Sequence, residues 1–148
     1  LDLWRTKEGP IVLVRHDSVS PNSKLAPGSP GNALQSGILG KHDLLISKSV
    51  NSAFYGTPDL HEWLQSHDYQ DLVICGITTN HCCETTARMA GNLGYLVTFV
   101  LDATRAYDMT DVNGEVICAD DVMRMTGANL NGEFATVVDT KYVLESFA

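Results

Sequence analysis

Strands alternating with helices along one short chain predict an α/β protein, a three-layer α/β/α sandwich around a doubly wound, mostly parallel sheet. Three observations carry this expectation. Short continuous apolar runs recur between turn signals, as strands buried on both faces do. Helical stretches with start and stop signals separate them. The 148 residues suffice for one core and are too few for two ordinary ones.

In chain order, residues 11–14 form the first apolar run, between Gly9-Pro10 and His16-Asp17-Ser18. Residues 43–47, 71–75, 96–100 and 134–138 repeat that form, which gives five buried strands. Helices are expected over residues 57–66, opening on Thr57-Pro58, and over 82–93, closing on Gly94. Two more are expected over 116–130, after the turn signal Asn113-Gly114, and over 141–147. The stretch 17–42 carries Pro21, Pro27, Pro30, Gly28, Gly31, Gly37 and Gly40 with little periodicity and reads as a long loop. Loops of that length in a compact domain usually have a functional or interface role, or else are disordered. Residues 1–5 read as the end of a helix already under way, with no Met at the start. The expectation is therefore a single domain over 1–148, truncated at its N-terminus.

Composition narrows the function. A net charge of −8, with ten scattered Lys and Arg, argues against nucleic acid, because phosphate binding needs clustered cations. No apolar run approaches the ~18–20 residues of a membrane crossing. Small molecules are the expected partners. Cys75, Cys82, Cys83 and Cys118 have no spaced framework of the kind that staples secreted domains, which fits a reducing cytoplasm.

The chemistry concentrates after residue 71. A buried strand runs to Gly76, a polar turn follows, and a helix starts near Cys82. Ligands of open α/β sheets bind at this edge, beyond the carboxyl ends of the strands. A thiol at a helix start meets the positive end of the macrodipole and the first-turn N–H groups. Both favour thiolate, and the same N–H groups could hold an oxyanion. Most buried cysteines are inert packing residues, so position must separate these four. Cys75 lies inside an apolar strand, and Cys83 is one residue around the helix from the mouth.

The stretch Gly76, Thr79, Cys82, Cys83, Thr86-Ala87, Gly94-Tyr95 and Asp102-Ala103 resembles a signature of the isochorismatase-like cysteine hydrolases, which include nicotinamidases and related amidohydrolases. Cys83 stands where that pattern usually has Val. A second element, Lys48 with Ser52-Ala53-Phe54, Thr57 and Leu60, is similar to the family's Lys motif. The resemblance covers essentially the whole chain. It implies Cys82 as nucleophile and Lys48 as a cation at the same sheet edge, stabilising thiolate and developing negative charge. It also implies a cis peptide between Ile77 and Thr78, aiming the N–H groups of Thr78 and Cys82 at an oxyanion. The family's third catalytic residue, an Asp ending its first strand, is expected upstream of Leu1.

Two carboxylates of this chain end strands, Asp17 and Asp102, and each reads better as a loop or turn residue than as the base. His16-Asp17-Ser18 lacks the Asp-x-His order of the nicotinamidase metal site, and His42, His61, His67 and His81 have no ligand spacing. No metal and no cofactor are expected. The reading is a cytoplasmic cysteine hydrolase of a small amide, acting through an acyl-enzyme, with His16, Phe54, Tyr55 and His81 as candidate pocket residues. The resemblance further implies a homo-oligomer, dimer or tetramer. Vinyl ether hydrolysis, as in true isochorismatases, and a catalytically silent binding module are the alternatives.

Overall fold

The computed structural model describes residues 1–146 and divides into two compact units, residues 1–67 and residues 68 onward. The first unit opens with helix α1 (Asp2–Thr6). Strand β1 (Val12–His16) then pairs in parallel with β2 (Leu44–Lys48), in a register running from Val12 opposite Leu44 to His16 opposite Lys48. Parallel partners project side chains to the same face, so the last pair brings a histidine beside a lysine. A 3₁₀ turn (Ala53–Tyr55) follows, then α2 (Leu60–Ser66). Ile11, Leu13, Ile46, Phe54, Leu60 and Leu64 are buried.

The expected start of α2 at Thr57 is corrected to Leu60. Thr57 exchanges backbone hydrogen bonds with Ser47 at 2.8 and 2.9 Å, which holds it extended. Asp59 is the N-cap instead, its Oδ1 accepting from the Glu62 N–H at 2.8 Å.

Between β1 and β2 the predicted long loop is a succession of tight turns, in which the N–H groups of Ser23, Ala26, Ser29 and Asn32 each donate to the carbonyl three residues earlier. Asn32 is buried, and its amide donates to the His16 carbonyl (2.9 Å) and to Asp17 Oδ1 (2.8 Å). The loop thus returns to the end of β1 and fixes it.

In the second unit β3 (Asp71–Ile77), β4 (Leu96–Arg105) and β7 (Thr136–Val138) form a parallel sheet in the order β3-β4-β7. A π-helical turn (Thr79–Cys83) runs into α3 (Glu84–Asn92), and α4 (Ala119–Leu130) and α5 (Thr140–Glu145) complete the unit. The three helices pack on β4. Phe99 and Leu130 are fully buried, each contributing about 1.5–3 kcal/mol of apolar transfer. Gly91 lets α3 come against the chain at Phe134: a Cβ there would lie 2.8 Å from the Phe134 carbonyl oxygen.

Three expectations change here. Val116 and Ile117 are not helical; they form β6 (Val116–Ile117), antiparallel to β5 (Met109–Thr110). Asp111 Oδ1 organises their turn by accepting from the N–H groups of Asn113 and Glu115, and Gly114 supplies the positive φ of 90°. Cys118 is the residue before α4. Second, β3 is not buried on both faces: its residues alternate, with Val73 and Ile77 exposed, and among the described residues β4 is its one strand neighbour. Third, the last helix is the shorter α5, and Phe147, expected within it, lies outside the described residues.

Candidate active site

Each unit carries part of the candidate constellation at the carboxyl end of a parallel strand. In the first unit Lys48 ends β2 and is 4 % exposed. Its ammonium donates to the Val50 carbonyl at 3.0 Å and meets Nδ1 of His16 at 3.2 Å. An ammonium has no acceptor, so in this contact the ring nitrogen accepts the hydrogen bond from Lys48. Burial, and then the Lys48 charge, hold the His16 pKa below its ordinary value, with the Asp17 charge and a hydrogen bond to the Val50 backbone opposing them. The backbone below is stitched as well, the Asp17 N–H donating to the Lys48 carbonyl at 2.7 Å.

Asp17 is bound in a network. Arg15 reaches both carboxylate oxygens, at 2.8 and 3.1 Å, and Asn32 adds its amide. These hydrogen bonds hold the Asp17 carboxyl down to about 2. A carboxylate so engaged is a poor proton acceptor, in line with its reading as a loop residue. Asp102, in β4, accepts at Oδ1 from the Thr140 N–H (2.7 Å) and hydroxyl (2.8 Å), and so ties the start of α5 to the sheet.

In the second unit Cys82 lies in the π turn between β3 and α3, partly exposed, with Cys83 buried behind it. The helix start is therefore corrected: helical turns begin at Thr79, and Cys82 sits within them, because the Thr78 carbonyl accepts from the N–H groups of both His81 and Cys83. The Ile77–Thr78 peptide bond is cis. Gly76, with φ of 136°, supplies the backbone conformation just before it. Below the turn, the Thr79 hydroxyl donates to Thr104 Oγ1 at 2.8 Å, and both residues are fully buried. Beyond it, Glu84 accepts from Arg88 (2.8 Å) and from the Thr126 hydroxyl (2.6 Å), linking the start of α3 to α4.

Of the candidate pocket residues, His16 is taken up by Lys48, and Phe54 is buried in the 3₁₀ turn after β2, tilted against His61 with ring centroids 6.4 Å apart. Tyr55 is 69 % exposed, and His81 is exposed at the outside of the π turn. Cys75, expected inside an apolar strand, is exposed on β3. A groove of about 520 Å³ beside α4, lined by Leu101, Met123, Arg124 and Val137 among others, contains none of the candidate residues. Among the described residues no three His, Cys, Asp or Glu side chains converge as metal ligands would, and no helix is long and apolar enough to cross a membrane.

Sequence reasoning missed Asn32, Thr104 and Thr126. The first lies in a loop without periodicity, and the others have partners 25 and 42 residues away in the chain.

Parallel strands alternating with helices in both units define an α/β protein, and the isochorismatase domain model matches residues 1–140. The chain belongs to the isochorismatase family of hydrolases. It is 36 % identical to the isochorismatase family protein YrdC of Bacillus subtilis, over 99 % of this chain and 79 % of that protein. It is 28 % identical to Nicotinamidase 3 of Arabidopsis thaliana, over 94 % of this chain and 71 % of the relative. The crystal structure of an isochorismatase family hydrolase from Chromobacterium violaceum superimposes with a TM-score of 0.91 at 38 % identity, covering 98 % of this chain and 75 % of that one.

Proposed function

We propose that the protein is a cysteine hydrolase of small amides and that Cys82 is its nucleophile. The observation that carries this reading is the placement of the two adjacent thiols: Cys82 faces partly outward in a turn at the carboxyl end of β3, whereas Cys83 is buried. Similarity to a nicotinamidase supports an amide as the substrate class.

In this reading the Cys82 sulfur attacks the amide carbonyl carbon and the N–H groups of Thr78 and Cys82 receive the oxyanion. The C–N bond breaks, the departing amine takes the proton that the Cys82 thiol gave up, and a thioester to Cys82 remains. Water then attacks the thioester, releasing the carboxylic acid and restoring the thiol. Asp17 and Asp102 are not assigned the proton-transfer role, since each is committed to its own hydrogen bonds.

The test uses nicotinamide and a set of small primary amides, with ammonia release as the readout and mass spectrometry to trap the acyl adduct. Cys82→Ala should reduce turnover to background, and Cys83→Ala should retain most of it. A Cys82→Ala protein that releases ammonia as fast as wild type, or an acyl adduct on another residue, would remove Cys82 from the mechanism.

A further inference from the structure

A nucleophile must be presented in one orientation, so the turn that carries Cys82 needs a rigid base. The sheet beneath the turn is irregular at this point. Ile74 of β3 lies opposite Phe99 of β4, but Gly76, two residues further on, lies opposite Thr104, five residues further on. Such a bulge bends the strand that carries it and re-aims the next side chain, and bulges concentrate beside functional sites.

Thr104 is the residue re-aimed, and it is fully buried. Its hydroxyl proton goes to the Leu101 carbonyl at 2.8 Å, an oxygen inside the bulge itself. With that proton spent, Oγ1 has only lone pairs to offer, and it accepts the hydroxyl of Thr79 at 2.8 Å. Thr79 is the first residue of the π turn, three before Cys82. The hydroxyl chain therefore has one direction, from the turn into the bulge, and a burial that excludes competing water. On the far side of Cys82 the Glu84, Arg88 and Thr126 cluster holds the start of α3.

Resting on the reading of Cys82 as nucleophile, we propose that Thr104 is a positioning residue for it: the bulge in β4 is the floor on which Thr79 rests, and through Thr79 it sets the orientation of the turn that presents the Cys82 thiol.

The test reads iodoacetamide modification of each cysteine by mass spectrometry, on the full chain at pH 7. Thr104→Val replaces the hydroxyl with a methyl of similar volume, Thr104→Ser keeps the hydroxyl, and Thr79→Val breaks the same link while leaving Thr104 bonded to Leu101. Thr104→Val and Thr79→Val should each slow Cys82 by roughly tenfold, the scale expected when a reacting group is displaced by a fraction of an ångström. Thr104→Ser should stay within about threefold of wild type, and the double variant should be no slower than either single one, because the link is broken once. Modification of exposed Cys118 should not change, and buried Cys83 should remain protected. The proposal is overturned if both valine variants label Cys82 at the wild-type rate, if Thr104→Ser is as slow as Thr104→Val, or if Cys83 becomes reactive, which would mean general loosening. A wild-type Cys82 that reacts no faster than glutathione would instead overturn the nucleophile assignment itself, before any variant is made.

Discussion

Replacing His16 with Phe removes the ring nitrogen that receives the Lys48 ammonium while leaving a side chain of similar shape. Lys48 is 4 % exposed, so water cannot readily replace the lost acceptor. A hydrogen bond to a charged group contributes about 1.5–3 kcal/mol, and the Val50 carbonyl remains as a partner of the ammonium. At about 2 kcal/mol, a chain of this size should melt about 4–8 °C lower. His16→Asn places a carbonyl oxygen near the position of Nδ1 and should recover at least half of the loss. The pH dependence has a fixed sign. The folded-state pKa of His16 lies below the ordinary 6.5, through burial and the Lys48 charge, so its contribution is complete above about 6.5 and is lost as the pH falls through the lowered value. Thermal unfolding followed by circular dichroism from pH 8 to pH 4 measures both effects. Wild type should show the acid step and His16→Asn, which does not titrate, should lack it. If His16→Phe melts with wild type, or if the asparagine variant retains the step, the Lys48–His16 bond is not what holds this strand end.

Three further outcomes are expected from neighbouring features. Asp17→Asn should destabilise the protein at pH 7 by about 1–2 kcal/mol, the lower end reflecting a side chain that is 23 % exposed and partly screened. Since the Asp17 pKa is lowered to about 2, that contribution is present above about pH 4 and disappears as the pH falls through 2; urea unfolding at pH 7 and pH 2.5 should find the gap between variant and wild type narrowing. Gly91→Ala would stabilise an isolated helix by about 1 kcal/mol. Here its Cβ would meet backbone atoms of Phe134 at 2.8 and 3.1 Å, so a net loss of about 1–3 kcal/mol is expected. Gly127→Ala in α4 meets side chains alone, the flexible end of Leu101 at 3.1 Å and Val137 at 3.9 Å, and should be near neutral or stabilising; a Gly91→Ala protein more stable than Gly127→Ala would refute the steric reasoning.

What could be read from the sequence was whatever repeats along it. Apolar runs located the starts of β1, β2, β3, β4 and β7 to within two residues, and the loop between β1 and β2 announced itself through Pro and Gly. The β5–β6 hairpin was missed because two-residue strands carry no periodicity and Val116-Ile117 continued the apolar pattern of α4. The start of α2 was misplaced because Thr57-Pro58 satisfies the local rule for a helix opening, while the competing Ser47 lies ten residues earlier and outside any local window. The same limit governs the site. Cys82 and Lys48 stood out through motif and strand-end position, but the atoms that hold them belong to His16, Asn32 and Thr104, whose relevance depends on register. The pairing of His16 with Lys48 requires β1 and β2 to be parallel and aligned as they are; a slip of one residue would turn the two side chains to opposite faces.

The two strand ends solve a common problem in the same way. A side chain offered at the carboxyl end of a parallel strand sits where the ladder stops and backbone polar groups lose their regular partners. At β1 and β2 the deficit is met by the Asp17 N–H on the Lys48 carbonyl and by the buried Asn32 amide on the His16 carbonyl. At β3 it is met by the helical turns on the Thr78 carbonyl and by the Thr79 to Thr104 hydroxyl bond. In both places a polar group imported from a distant part of the chain fixes the backbone within a few residues of the chemically useful side chain. Such bonds contribute only about 0.5–1.5 kcal/mol each to stability. Their larger effect is on geometry: removing Asn32 or Thr104 should disturb the presentation of Lys48 or Cys82 well before it threatens the fold.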